Sequence, residues 1–472
     1  MSNPVLTELL ASYVPRLIQN RVAADPSPIE SPVAEDMQAS ILFADISGFT
    51  ILTEQLAERG PAGVETLARI LNEYFGQLID IIHDFGGDVV KFAGDAVIAV
   101  WPIVADDVAA GGTGTINTIS RADQWQWTMR AAECAVAVRD RLSNYKVESE
   151  SLYLKLAVST GSILAAHVGG VFNRWEFLLT GNPLIELGIA NNIASPGEIL
   201  LTPSAWKLIR NDGVTSPVEF ELRDAIAQGG RLDRLNKPSS ITTTKSKVRI
   251  PEGGENSLRA YIPGAIINRL SAGQSSWIAE LRRVSVLFVN LPDIDQDTKL
   301  ETAQNIARLV QRSIYRYEGS INKINVDDKG ITIVAALGLP PFSHEDDPAR
   351  SVQAALMIRR ELNSLHVRSF IGITTGRIFC GSVGNESRRE YTIIGNAVNL
   401  SARLMTTAGK LDKIAIKHGV PILCDRTTFD SAKEAVVFEI LPPHFVKGRT
   451  EPVEVFHPLE LKKSVMRPKT EL

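Results

Sequence analysis

Two aspartates, each beside a glycine-bearing turn, are the residues of this chain best suited to chemistry. Asp45 ends an apolar run just before Ser47-Gly48-Phe49-Thr50 opens a helical stretch. Asp95 follows Phe92-Ala93-Gly94 in the turn between DVVKF and AVIAVW, 50 residues further on. Strand ends that neighbour in a sheet bring such carboxylates to one point, and two hard oxygen ligands suit Mg²⁺ or Mn²⁺ carrying a polyphosphate. The free N–H groups of Gly48, Phe49 and Thr50 can receive phosphate oxygens at the helix start. Taken singly, Asp45 reads equally well as a helix cap and Asp95 as a turn acid. Together, in DISGFT and FAGD, they read as a metal–phosphate site.

A second set lies far along the chain. Asn399 and Arg403 are four apart on one expected helix and so share a face. An arginine there can stabilise charge developing on a phosphate, although a solvated helix face is the plainer reading. Lys323, in SINKIN, falls on a hairpin strand, where lysines usually sit at a solvated edge. Lys447 begins KGRTEPVEVF, a glycine-containing turn into a strand, within reach of terminal phosphates.

The elements that must position these residues are written twice. ILFADISGFT (41–50) matches VLFVNLPDID (286–295), but Asn290 stands where Asp45 was. YTIIGNAVNLSAR (391–403) matches FLLTGNPLIELGI (177–189), with Ile185 and Ile189 in place of Asn399 and Arg403. A repeat of this length in matching order indicates duplication with complementary losses, hence one working site shared across an interface. The spacing predicts helices over 64–84, 127–143, 297–317, 346–364 and 396–407, with a small, polar, mobile loop at 106–123. The fold class is α+β: two ferredoxin-like βαββαβ units, helices on one face of a mostly antiparallel sheet. The expected partition is an N-terminal helix and leading segment (1–35), a first domain (36–230), a linker (231–280), a second domain (281–460) and a tail (461–472).

Bulk properties narrow the function classes. At 472 residues the chain exceeds what one core supports. A net charge of −4 gives no support for nucleic-acid binding. No apolar run reaches the ~20 residues of a membrane span, and the amphipathic N-terminus is no secretory signal. Three scattered cysteines without a CxxC read as buried thiols of a reducing, cytoplasmic compartment.

DISGFT, FGGDVVKFAGDAV, YTIIGNAVNLSARL and FVKGRTEPVEVF, in this order, resemble the class III nucleotidyl cyclases. The tandem order and the Lys/Thr pair resemble the bicarbonate-activated soluble adenylyl cyclases and their bacterial relatives, over about residues 38–212 and 282–458. The resemblance implies an intramolecular pseudo-heterodimer, active as a monomer, that cyclises ATP to 3′,5′-cyclic AMP and pyrophosphate. It implies two divalent ions, Mg²⁺ or Mn²⁺, on Asp45, Asp95 and the Ile46 carbonyl. Asn399 would orient the ribose, Arg403 would stabilise the transition state, and Lys447 would bind the β- and γ-phosphates. Lys323 and Thr392, with the Ile393 backbone, would read adenine. Guanylyl members carry the opposite donor/acceptor pattern at these positions.

Pseudo-symmetry implies a degenerate sister pocket at Asn290, Lys91, Thr180, Ile185 and Ile189, with Asp327 and Asp328 as turn acids in a hairpin two or three residues longer. In the soluble cyclases a lysine and an arginine bind bicarbonate there. Lys91 matches the lysine of this regulatory anion pocket, while the arginine position is Gly188. Weak or absent bicarbonate stimulation is therefore expected, unless Arg174 substitutes. Two other readings compete: a catalytically silent nucleotide-sensing module and a guanylate cyclase. Gly86-Gly87-Asp88 as a diguanylate cyclase GGD is a short-motif coincidence, since Val89-Val90 follows. Further regulatory domains would follow if the chain is a piece of a longer protein.

Overall fold

In the computed structural model the described residues are 4–47, 52–53, 55–56, 59–103, 119–147, 150–222, 225–236, 247–271, 279–327, 330–414, 419–447 and 451–462. Two sheets dominate. The first runs β2 (Asp88–Ala93), β3 (Ala96–Pro102), β1 (Val33–Ser47), β5 (Glu150–Val171), β7 (Ile199–Leu201), β9 (Ile226–Leu235), β8 (Gly213–Glu221). The short β4 (Tyr145–Val147) and β6 (Arg174–Thr180) pair β5 off this path. The second sheet repeats that order as β11 (Ser320–Asp327), β12 (Gly330–Leu337), β10 (Glu280–Leu291), β13 (Phe370–Gly384), β15 (Ile422–Cys424), β17 (Val453–Leu461), β16 (Val436–His444). There β14 (Arg389–Ile394) is the counterpart of β6. The two βαββαβ units expected from the sequence are present, each extended by a hairpin.

The central strands are buried on both faces because helices pack on both, not on one as expected. In the first sheet Leu184, Leu187 and Ala190 of the helix Asn182–Ile193 meet Ile41 and Ala157, on the face opposite Leu42 and Leu156. Helix α3 (Pro61–Asp84) and α4 (Arg121–Leu142) pack on the first sheet, and their apolar residues share a core with Leu42, Val97 and Leu156. Helix α4 starts at Arg121, earlier than its periodicity suggested. Ser120 and Asp123 form a reciprocal cap there, Asp123 N donating to Ser120 Oγ at 3.1 Å and Ser120 N to Asp123 Oδ2 at 2.8 Å. Of the loop expected at 106–123, residues 106–118 lie outside the described residues, and 121–123 belong to the first turn of α4.

The domains grip each other reciprocally. The β13–β14 hairpin reaches helix α3: Gly384 N donates to Asn72 Oδ1 at 3.1 Å and Asn385 Nδ2 to Asp80 Oδ1 at 2.9 Å. The β5–β6 hairpin reaches α9 (Leu300–Tyr315), where Gly169 N donates to Gln304 Oε1 at 2.7 Å and Gln311 Nε2 to the Arg174 carbonyl at 3.0 Å. Each core accordingly contains residues of the other domain, Phe379 and Val383 in the first and Val168 and Leu178 in the second.

The duplicated unit is larger than the two sheets. Helices α1 (Pro4–Ser12) and α2 (Arg16–Ala24) flank Tyr13-Val14-Pro15. Within the stretch read as linker, α7 (Gly254–Arg259) and α8 (Gly264–Ser271) flank Tyr261-Ile262-Pro263. Both helical pairs enter one apolar cluster with Leu10, Ile18, Leu258 and Ile266. Their tyrosines occupy equivalent places: Tyr13 Oη lies 2.9 Å from Ser382 Oγ on β13, and Tyr261 Oη lies 2.8 Å from His167 Nδ1 on β5.

Candidate active site between the domains

Asp45 forms the last pair of the β1–β3 ladder, opposite Ala96, and it is paired with Lys155 on β5. Asp95 occupies the two-residue turn between β2 and β3, made possible by Gly94 at φ +75°. Ile46 N donates to the Asp95 carbonyl at 3.4 Å, which ties the turn to the end of β1. Burial pushes both carboxyls above the usual carboxylate range. Asp95 rises to about 7, first through burial and then through the charge of Asp45, with Lys323 pulling the other way. Asp45 is raised by burial, while a hydrogen bond from Asn191 and the Lys155 ammonium oppose the rise. Two mutually repelling carboxylates beside a backbone carbonyl form an oxygen donor set that a divalent cation would relieve. Among the described residues no group of three or more His, Cys, Asp or Glu is placed to hold a metal ion.

Lys323 comes from the other domain and is not the solvated edge residue that hairpin lysines usually are. It is 6% exposed and donates to Thr392 Oγ1 at 2.9 Å, with Glu390 3.9 Å away. Burial lowers its pKa, and the charges of Glu390 and Asp95 raise it. The sequence therefore brings Asp95 and Lys323, 228 residues apart, within electrostatic reach across the interface. Thr392 and Ile393 are buried on β14, opposite Gly381 and Cys380.

Helix α11 (Asn396–Ile414) follows β14 directly and carries Asn399 and Arg403, both half-buried, one turn apart. Its seat on the sheet depends on Gly372: a Cβ there would lie 2.0 Å from the Ser401 carbonyl. Ser401 Oγ instead donates to the Gly372 carbonyl at 2.8 Å, locking the turn between Asn399 and Arg403 onto β13. Lys447 is exposed where β16 leads towards β17, next to residues 448–450, which lie outside the described residues. Gly48, Phe49 and Thr50, the candidate phosphate donors, also lie outside them.

The sister pocket departs from its expected composition in two ways. Asp45 and Asn290 hold equivalent places on β1 and β10, so the ladders equate Lys155 with Phe370 and Ala166 with Gly381. Thr392 opposes Gly381 and Leu178 opposes Ala166, so the counterpart of Thr392 is Leu178, and Thr180 lies two residues beyond. The second hairpin is also longer than expected. Ala93 and Ala96 enclose two residues, whereas their equivalents Asn325 and Thr332 enclose six. The extra pairs Val326–Ile331 and Asp327–Gly330 carry the turn away from β10. Asp328 lies outside the described residues. Lys91, at the bulge equivalent to that of Lys323, is pushed down to about 8 by burial against the opposing charges of Glu390 and Glu176.

Sequence reasoning missed a ring of charge around these lysines. Arg174, Glu176, Arg388 and Glu390 line a cavity of about 90 Å³ together with Lys91 and Lys323. The signal was available: Arg174-Trp175-Glu176 and Arg388-Arg389-Glu390 stand at corresponding points of the repeat. Asp88 of the GGD triplet is occupied structurally, accepting from Arg16 N and Leu17 N at 2.9 Å and so capping α2. A cavity of about 920 Å³ lies elsewhere, among Thr7, Arg16, His83, Lys247 and Ser387.

The family model of the adenylate and guanylate cyclase catalytic domain matches residues 32–236 and 278–456. Adenylate cyclase type 10 of Rattus norvegicus is 28% identical over 97% of this chain, and that of Homo sapiens is 28% identical over 93%. The chain spans only 28% and 27% of the length of these relatives. A solved structure, a class III adenylyl cyclase-like ATP-binding protein from Pseudomonas aeruginosa, superposes with a TM-score of 0.55 at 13% identity. That match covers 89% of this chain and 93% of the other, and it shows the tandem fold.

Proposed function

Because this chain belongs to the adenylate and guanylate cyclase catalytic domain family, we propose that it is an adenylate cyclase with one composite site between its two domains. The observation that carries this reading is the Lys323–Thr392 pair, 2.9 Å apart, with the Lys323 charge acting on the Asp95 carboxyl of the other domain. One domain contributes the pair that suits a metal-bound polyphosphate, and the other the pair that suits a base.

Lys323 Nζ donates to the adenine ring acceptor N1, and the Thr392 hydroxyl accepts from the exocyclic amine, with the Ile393 backbone alongside. On guanine the Lys323 donor would meet the N1–H donor instead of an acceptor, which favours ATP. Asn399 orients the ribose so that its 3′-oxygen lies in line with the α-phosphorus. Arg403, a turn further along α11, places its guanidinium where charge grows on the α-phosphate. Lys447 and the N–H groups of Gly48, Phe49 and Thr50 hold the outer phosphates. Two divalent ions, Mg²⁺ or Mn²⁺ on Asp45, Asp95 and the Ile46 carbonyl, would acidify the 3′-hydroxyl and carry the charge of the departing pyrophosphate. Little covalent chemistry is asked of the side chains, so positioning and electrostatics supply most of the rate.

The two halves, 36–230 and 281–460, supply a complete site without a second chain, so the monomer is the active form. Among the described residues no helix is long and apolar enough to cross a membrane, and Cys134, Cys380 and Cys424 are buried free thiols, which favours a reducing cytoplasmic setting. The test is cyclic-nucleotide production by the purified chain with ATP or GTP and with Mg²⁺ or Mn²⁺. Cyclic AMP from ATP is expected; turnover of GTP alone, or none with either nucleotide, overturns the reading.

A further inference from the structure

Arg388, immediately before β14, is 3% exposed, and all five of its N–H donors are spent. Nε donates to the Val89 carbonyl at 2.8 Å and Nη2 to the Val90 carbonyl at 3.3 Å, both on β2 of the first domain. Nη1 donates to the Tyr13 carbonyl between α1 and α2 at 3.2 Å, and to the Arg389 carbonyl. The remaining Nη2 proton goes to Glu390 Oε2 at 3.0 Å, which in turn accepts from Phe92 N at 3.4 Å. The guanidinium also lies 5.4 Å from the centre of the Phe92 ring. Val89 and Val90 sit at the bulge of β2, and three residues after Phe92 the chain reaches Asp95.

The sister arginine does something else. Arg174 Nη1 donates to the carbonyls of Trp175 at 2.8 Å and Ala260 at 3.1 Å, and Nη2 lies 3.5 Å from Glu176. Those contacts fasten the α7–α8 segment, and among the described residues no hydrogen bond of the Arg174 guanidinium goes to β11. Two equivalent arginines therefore serve different strands, and only Arg388 grips the strand that leads to a carboxylate of the proposed site.

We infer that Arg388 is a positioning residue: its planar fork fixes the β2 bulge against β14, and thereby sets Asp95 relative to Lys323 and Thr392. This rests on the cyclase reading above for its catalytic consequence, but not for its structural one. A fork that joins three carbonyls of two separate segments defines an angle as well as a distance, which a single ammonium does not. The pin acts on the spacing between the metal-binding half and the base-binding half. A misplacement of about 1 Å in such a spacing costs on the order of a hundredfold in turnover with little effect on ground-state binding.

The experiment compares Arg388→Ala, Arg388→Lys and Arg174→Ala with the wild type in two measurements. Hydrogen–deuterium exchange over Asp88–Ala93 reads the pin directly, with β13 as the internal standard for global folding. Exchange is expected to rise about tenfold in both Arg388 variants while β13 and the Arg174 variant stay protected. In the activity arm, kcat of Arg388→Ala falls about a hundredfold while the dissociation constant of ATP moves less than about threefold. Arg388→Lys recovers little of this loss, and Arg174→Ala stays within about threefold of the wild type. Unchanged exchange in β2, full recovery by lysine, or equal losses in both alanine variants would each overturn the inference. A wild type that makes no cyclic AMP sinks the proposed function instead, and the exchange arm still decides the role of Arg388. Should Arg388→Ala not fold, the lysine variant carries both measurements.

Discussion

Lys323 and Lys91 occupy the same place in the two copies, at the same bulge of the same strand, share the charge of Glu390, and differ in the rest of their surroundings. Lys323 donates to a threonine hydroxyl, and its second opposing charge is Asp95. Lys91 has Leu178 where Thr392 would be, and its opposing charges are Glu390 and Glu176. The contrast extends to the strand beside them. Asp45 is an acceptor that burial holds under electrostatic strain, whereas Asn290 Nδ2 donates to the Ile331 carbonyl at 3.3 Å and is satisfied within its own sheet. On the proposed function the first pocket takes a metal-bound nucleotide and the second does not. A duplicated backbone thus keeps its geometry while a handful of side chains move the chemistry to one side.

The most damaging way to erase the difference is to write the sister residue into the working half. Asp45→Asn is expected to cut cyclic AMP production by about a thousandfold at saturating Mn²⁺, since it removes a charge aimed at the reacting centre. Thermal unfolding should move little or upward, because a strained buried carboxylate is lost. The reciprocal Asn290→Asp should create no second active site, because Asp95 has no counterpart on the longer hairpin; turnover of Asp45→Asn/Asn290→Asp no better than that of Asp45→Asn checks this.

A smaller effect is expected at the base. Thr392→Val removes one hydroxyl, leaves the shape, and orphans a buried lysine donor. The specificity constant for ATP over GTP should fall by about ten- to a hundredfold, in line with ~1–3 kcal/mol for an unsatisfied buried partner. Competition kinetics with the two nucleotides measure it; an unchanged ratio removes Thr392 from base reading.

Outside the pockets the halves also differ at His167, whose counterpart on β13 is Ser382. His167 is 4% exposed against Tyr261, and burial, helped by the charge of Arg21, lowers its pKa to about 4. The unfolded chain binds the proton near pH 6.5, so stability from the neutral ring is present above that value and lost as pH falls towards 4. Urea unfolding should report about 2 kcal/mol less stability at pH 5 than at pH 7 from this group, and His167→Ser should flatten that slope. The smallest effect concerns regulation. With Gly188 at the anion-binding arginine position, added bicarbonate at fixed pH should raise activity less than about twofold. A saturable rise of several-fold would show that Arg174 or another base replaces the missing cation.

Much of this was legible in the chain. The strand-to-turn placement of Asp45 and Asp95, the shared face of Asn399 and Arg403, and the double writing of the fold all follow from local period and turn chemistry, which neighbours in sequence decide. The charge ring was harder to read, because Arg388 and Glu390 resemble ordinary surface residues of a hairpin until the other domain covers them. The cap helices at 254–271 were hidden for a related reason. They are short, follow a polar tract, and are stable only through the cluster they share with α1 and α2.

Sequence by itself determined which residues each copy retains, because side-chain identity is a local property. The tertiary structure alone decided that the charges of Asp95 and Lys323 act on each other across the interface, and that one of two equivalent arginines holds the β2 strand. Those facts depend on strand register and on the angle between two sheets. Register is set by pairing with distant strands, and the sheet angle by the sum of contacts across the whole interface, so neither is written at any single position.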